Sequence, residues 1–178
     1  MFIEKMKSLK IISLLFVIFG FCPNVNLVRA GTGATNPKNY KVLSTNNKNL
    51  SVASVEYYLR EGDKFIKNGN FDEAKDSYLD ARKLAKQLAS FYSDLNSSFK
   101  GVDARIPKEM QRKGKETLQI LAKTNGRLAS LYLKTEKPEV AVPLLVETIR
   151  IMSPNSSEGK KAYETLLQLG FVETKYKG

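Results

Sequence analysis

One stretch of the chain constrains its fold more than any other, the segment from Tyr58 to Ala81. Small and aromatic residues recur there at three- and four-residue spacing on both sides of an Asn68-Gly69-Asn70 break. This spacing places them on one face of each of two helices. Gly69 suits the left-handed conformation that ends many helices. The stretch therefore predicts two antiparallel helices, with small residues where they touch and aromatic rings filling the gap.

The same periodicity continues on either side of this stretch. Apolar residues at helical spacing extend the first helix back to Ser51, whose hydroxyl suits an N-cap. They carry the second helix from Phe71 to at least Leu95, well beyond the usual helix length. The first two helices are therefore expected to differ greatly in length.

The second half of the chain is also helical in pattern. The periodicity breaks around Gly101, and Pro107 suits the first turn of a third long helix that runs to about Thr135. A fourth helix is expected before the break at 153–156, and a last helix runs from Glu158 to Leu169. We therefore predict an all-α fold of about five helices.

The first hairpin resembles a tetratricopeptide repeat (TPR), a helix-turn-helix unit of roughly 34 residues. Two residues depart from the family pattern: Glu61 replaces a leucine, and Lys86 replaces the terminating proline, which lets the second helix continue. The residues that carry the resemblance occupy the small and aromatic positions of the repeat: Tyr58, Gly62, Phe65, Gly69, Phe71, Ala74, Tyr78 and Ala81.

A second, fainter repeat follows in the third and fourth helices. Asn125 stands where the family has an aromatic residue, and Pro138 and Thr148 also depart from the pattern. The resemblance covers roughly residues 51–170. It implies TPR-like stacked helical hairpins with a C-terminal capping helix, and the chain is similar to secreted TPR-like proteins of cyanobacteria. The second repeat matches the family at Leu128, Ala129, Tyr132, Ala141 and Leu145.

The N-terminal segment has the features of an export signal. Lysines precede an apolar run from Leu9 to Cys22, and Val28-Arg29-Ala30 resembles a cleavage site. Residues 1–30 are therefore predicted to be a signal peptide that exports the chain to a periplasm or thylakoid-type lumen. The alternative is an uncleaved membrane anchor, although the run is short for a bilayer span.

Composition separates the segments outside the helices and argues against catalysis. Residues 31–50 are rich in Gly, Thr, Asn and Lys and are predicted to be a flexible linker, while residues 171–178 form a basic tail. The chain has no histidine, and its only cysteine, Cys22, lies in the apolar run. The commonest general base and metal ligand are thus missing. We predict a protein that is not an enzyme and uses no cofactor or metal.

The net charge of +11 favours acidic partners or surfaces. The third helix carries a basic stripe within an arc of roughly 120°. An acidic peptide or an anionic lipid headgroup could dock on it, although a solvated face is a further reading. Nucleic acid is not expected if the chain is exported. The stripe consists of Arg105, Lys108, Arg112, Lys115, Lys123, Arg127 and Lys134.

The resemblance implies that partners bind the concave face, which the first helix of each hairpin lines. The sequence therefore predicts an adaptor or assembly factor that binds a protein or peptide there. The alternative is a membrane-surface protein that binds anionic headgroups through the basic stripe. The candidate contact residues, taken from the concave positions and from the stripe, are Asp63, Ile66, Lys67, Lys123, Arg127, Ser130 and Lys134.

Overall fold

The computed structural model describes residues 50–177, which form five α-helices and no strand. The prediction of an all-α fold with about five packed helices is confirmed. None of the described helices is long and apolar enough to cross a bilayer. The helices are α1 (Val52–Lys67), α2 (Phe71–Ser98), α3 (Arg105–Lys134), α4 (Pro138–Met152) and α5 (Ser157–Gln168).

Two predicted segments fall largely outside this range. The predicted signal peptide, residues 1–30, lies outside the described residues, and so does the predicted linker except for its last residue. The predicted tail is described up to Lys177. Part of it returns to α5, because the hydroxyl of Tyr163 donates a hydrogen bond to the carbonyl oxygen of Thr174 at 2.7 Å.

The first hairpin has the ends that its sequence predicts. The side-chain oxygen of Ser51 accepts a hydrogen bond from the backbone N–H of Ser54 at 3.1 Å, which caps α1. At the other end, Gly69 has φ of +79°, the left-handed conformation that glycine adopts without strain. Helix α2 then begins at Phe71, with Asp72 and Glu73 in its first turn. Their negative charges interact favourably with the positive end of the helix dipole.

The helices pack mainly against their neighbours in the chain, and α1 and α5 also touch α3. Every helix contributes to one core of buried apolar side chains. Helices α2 and α3 are the longest and form the central pair: α1 packs on α2, α4 packs on α3, and α5 packs mainly on α4. Fully buried members of this core include Val55 of α1, Leu88 of α2 and Leu128 of α3.

Helices α1 and α2 are in close contact where Gly62 faces Tyr78. A Cβ atom on Gly62 would lie 2.4 Å from Cε1 of Tyr78, closer than any real contact. Tyr78 is only 2% exposed, and its hydroxyl donates a hydrogen bond to Oδ1 of Asp63 at 2.7 Å. Because Gly62 has no side chain, the ring of Tyr78 fits against α1. The Tyr78 hydroxyl then links α2 to α1 through its hydrogen bond with Asp63.

A polar network joins α2, α3 and α4 through the fully buried Asn125. The Asn125 side-chain oxygen accepts a hydrogen bond from Nε of Arg82 at 2.9 Å, and its amide nitrogen donates to Glu147 at 3.0 Å. Glu147 also pairs with Arg82 at 2.5 Å and with Lys86 at 2.7 Å. Asn125, which replaces the aromatic residue of the repeat pattern, is thus buried with hydrogen bonds to both its side-chain oxygen and its side-chain nitrogen.

The protonation of Glu147 is strongly affected by this network. Burial alone would raise the pKa of Glu147, but hydrogen bonds from Lys86 and Arg82, together with the charge of Arg82, lower its pKa from 4.5 to about 2. The folded state therefore holds the carboxylate in its charged form. A group with a lowered pKa stabilises the fold at neutral pH and loses that contribution on acidification.

We expect Gly62→Ala to lower the free energy of unfolding by about 1–3 kcal/mol, because the new methyl group displaces the ring of Tyr78. Urea unfolding of the purified chain measures the change. Gly126→Ala in α3 is the matched control, since a Cβ there meets no atom within 4 Å. The control is expected to be neutral or more stable by up to about 1 kcal/mol. Equal effects of the two changes would contradict the close approach.

We expect Glu147→Gln to lower the free energy of unfolding at pH 7 by on the order of 2 kcal/mol. The difference from the unmodified chain is expected to shrink as pH falls from about 5 toward 2, because the carboxylate then becomes protonated. Urea unfolding at a series of pH values measures it. The exposed Glu164 on α5 gives a control variant, Glu164→Gln, for which an effect near zero is expected at pH 7.

Candidate binding cavity

A cavity of about 420 Å³ opens between the end of α1, the second half of α3, and helices α4 and α5. Its inner surface is mostly apolar, and buried side chains from four helices line it, including Tyr78 of α2. A mostly apolar wall with a few polar groups at its edge is typical of ligand-binding sites. The apolar wall includes Ala122, Ala129, Leu131, Leu145 and Ala162.

The charged groups around the cavity are mostly cationic. Lys123 and Lys134 of α3 and Lys161 of α5 line it and are exposed, and Glu158 is the one carboxylate among the lining residues. The Nζ atom of Lys134 also lies 4.8 Å from the ring centroid of Phe71. An apolar interior with a positive rim suits a ligand that carries both apolar and acidic groups.

Arg127 lies on the cavity wall but is already paired with Asp63 of α1. Its Nε and a terminal nitrogen donate to the two carboxylate oxygens at 2.7 and 3.0 Å, which makes a bidentate ion pair. The hydroxyl of Tyr78 donates a further hydrogen bond to the same carboxylate. Burial alone would raise the pKa of Asp63, but the hydrogen bonds from Arg127 and Tyr78 outweigh this and hold its pKa below the usual value. Asp63 thus anchors Arg127 and neutralises its charge.

The structure brings most of the predicted contact residues together. Ile66, Lys123, Arg127, Ser130 and Lys134 line the cavity. Asp63 is connected to the cavity through its pair with Arg127. Lys67 is not among the lining residues, although its charge contributes to the low pKa of Asp63.

Sequence reasoning missed the contribution of α5 to this cavity. Glu158, Lys161 and Thr165 line it from α5, which the repeat resemblance implied to be only a capping helix. A signal was present, because these residues recur at three- and four-residue spacing along one edge of the apolar face of α5. The position of that face over the cavity depends on tertiary packing.

The basic stripe predicted on α3 does not remain a continuous row of free charges. Its three arginines pair with carboxylates: Arg127 with Asp63 at 2.7 Å, Arg105 with Asp103 at 2.7 Å, and Arg112 with Glu116 at 3.9 Å. The positive charge near the cavity is therefore carried by lysines of α3 and α5 rather than by the whole stripe.

Comparison with known proteins adds no family to this picture. No protein-family model and no curated protein matches the chain. The similarity to tetratricopeptide repeats thus stays a prediction from the residue pattern. Within residues 50–177, no group of His, Cys, Asp and Glu side chains is arranged to hold a metal ion.

We expect a double-mutant cycle on Asp63→Asn and Arg127→Gln to give a coupling free energy of about 1 kcal/mol, since the pair is bidentate and only partly exposed. Urea unfolding of the four proteins measures it. The coupling is expected at neutral pH and lost as pH falls through the lowered pKa of Asp63. The exposed pair of Glu56 and Arg60, at 3.8 Å, is the control, and its coupling is expected to stay within a few tenths of a kcal/mol.

Proposed function

We propose that this protein is a non-enzymatic, TPR-like adaptor that holds an acidic segment of a partner protein in the cavity between α1, α3, α4 and α5. The observation that carries the proposal is the combination of a 420 Å³ apolar cavity with three exposed lysines at its edge. The absence of histidine in the chain supports a binding role rather than acid–base catalysis.

The size and chemistry of the cavity favour a protein segment as the ligand. A volume of this order accommodates a few large apolar side chains. The lysines come from two helices, Lys123 and Lys134 from α3 and Lys161 from α5, so they face a ligand from two directions. An amphipathic segment with acidic residues beside its apolar side chains would satisfy both features at once.

A role as an exported adaptor is part of the same proposal. It rests on the basic, apolar and cleavage-site pattern of residues 1–30. Binding to anionic lipid headgroups through the stripe on α3 is less well supported, because Arg105, Arg112 and Arg127 already pair with carboxylates of the same chain. Ionic strength separates the two ligands, since headgroup binding depends mainly on charge, whereas the cavity also offers apolar surface.

We expect a photoreactive amino acid at Ser130, an exposed residue of the cavity wall, to crosslink the exported chain to a partner in the cells that make it. Mass spectrometry of the adduct identifies the partner segment, which we expect to be acidic and apolar. The same amino acid at Asp80, exposed on α2 and not among the lining residues, is the control position.

The affinity of the identified segment is then measured with charge-reversal variants. We expect Lys123→Glu and Lys161→Glu each to weaken binding about five- to tenfold, and the neighbouring Lys160→Glu, which makes the same change in net charge outside the cavity, to leave it nearly unchanged. Equal loss in all three variants would show that only net charge matters. Loss of all binding at high salt would favour a headgroup over a segment held in the cavity.

A further inference from the structure

The chain turns back on itself at the end of α5 instead of leaving the fold. Gly170 has φ of +76°, the left-handed conformation in which glycine ends many helices. Its N–H donates to the carbonyl oxygen of Leu167 at 3.1 Å, and the N–H of Phe171 donates to the carbonyl oxygen of Leu166 at 3.0 Å. These hydrogen bonds close the helix and turn the following segment, residues 171–177, along the side of α5. We call this segment the C-terminal strap.

Contacts along the length of α5 hold the C-terminal strap in place. Val172 packs against the apolar core, and the hydroxyl of Tyr163 donates to the carbonyl oxygen of Thr174 at 2.7 Å. The rings of Tyr163 and Tyr176 meet edge to face, with their centroids 6.0 Å apart. The Tyr176 hydroxyl donates to the side-chain oxygen of Asn155, which precedes α5. The strap therefore connects the end of α5 to the turn before its start, whereas chain ends without such contacts are usually poorly ordered.

The C-terminal strap and the cavity lie on opposite flanks of α5. Tyr163, which the strap contacts, is about 160° around the helix from both Lys161 and Thr165, which line the cavity. The buried residues Ala162 and Leu166 lie between these two flanks and face the core. The strap therefore leaves the cavity open and holds its α5 wall from the far side.

The turn between α4 and α5, where the C-terminal strap ends, contains a strained residue. Ser153 has φ of 72° and ψ of 144°, a backbone conformation that residues other than glycine rarely adopt. Its carbonyl oxygen accepts hydrogen bonds from the N–H of Ser156 at 3.2 Å and from the Ser156 hydroxyl at 2.8 Å. Strained residues persist only where surrounding contacts fix them, and they cluster in segments that switch conformation. Ser153 is therefore a pivot for α5, and the contact of Tyr176 with Asn155 restrains the same turn.

We propose that the C-terminal strap is a latch for the α5 wall of the cavity between α1, α3, α4 and α5. With the strap in place, α5 is fixed at both ends and the cavity keeps its width. When the strap lifts from Tyr163 and Asn155, α5 rotates about Ser153 and the cavity widens. All strap residues except Val172 are exposed, so few contacts break when it lifts. The latch regulates the site of the proposed function and rests on that function for the identity of the ligand.

Hydrogen exchange followed by mass spectrometry tests the latch without a ligand. A chain that ends at Gly170 lacks the strap, and we expect its α5 amides to exchange about tenfold faster, with those of α1 and α2 unchanged. A chain that ends at Tyr176 keeps the strap contacts of that residue and is the matched control. Tyr163→Phe, which keeps the ring but loses the hydrogen bond to Thr174, is expected to accelerate α5 exchange about threefold. Equal α5 exchange in the two shortened chains would overturn the proposal.

The alkylation rate of a buried thiol shows whether the cavity itself opens. Ala129→Cys places a thiol on the cavity wall, and Ala85→Cys places one in the core of α2 away from the cavity. Mass spectrometry of peptides distinguishes both from Cys22. We expect iodoacetamide to modify position 129 about tenfold faster in the chain that ends at Gly170 than in the chain that ends at Tyr176, with no difference at position 85. Equal acceleration at both positions would mean that the strap stabilises the whole fold, and the latch would be rejected, as it would be if position 129 did not respond.

Neither measurement depends on what the cavity binds, so the latch and the proposed function fail separately. If both measurements give the expected result but the photoreactive residue at Ser130 captures no acidic segment, the latch stands and the proposed function fails. If an acidic segment is captured but α5 exchange and thiol alkylation do not respond to loss of the strap, the proposed function stands and the latch fails.

Discussion

The contact between Gly62 and the ring of Tyr78 is the constraint on which the rest of the described structure depends, because it sets the separation of α1 and α2. With the ring in place, its hydroxyl reaches Asp63, and Asp63 holds Arg127 of α3 at the wall of the cavity. One missing side chain thus fixes three helices relative to one another. Tyr78 and Arg127 also line the cavity, so this contact and the pair that follows from it form part of the cavity wall.

The other side of the central pair is fixed by charge instead of close approach. Asn125, Arg82 and Glu147 form a network that leaves none of their buried groups unsatisfied, and it holds α4 in one register against α2 and α3. Such networks are costly when any member is removed, because the remaining groups stay buried without partners. Apolar packing alone would allow α4 to slide along its neighbours more easily than this network does.

The helices and turns could be predicted from the sequence because they depend on local patterns such as the spacing in α2 and the glycine at position 69. The site was predicted only in part. In the sequence, Asn125 is visible only as a departure from the repeat pattern. Its hydrogen bonds could not be predicted, because its partners Arg82 and Glu147 lie 43 and 22 residues away in the chain. Lys161 was missed for a related reason: the sequence places it on the edge of a helix face, but only the packing of α5 against α4 brings that edge to the cavity.

Because α5 forms one wall of the cavity, its packing affects how the cavity opens. Helix α5 packs mainly against α4 and touches only α3 besides, so it is the least extensively packed of the five described helices. In such linear arrangements, local unfolding begins at the ends and leaves the rest intact. The wall that carries Lys161 is therefore also the one that separates at the lowest free energy. Under the proposed function, detachment of α5 would offer a bulky segment a route into the cavity without global unfolding, and the affinity of that segment would then include the free energy of returning α5 to the stack.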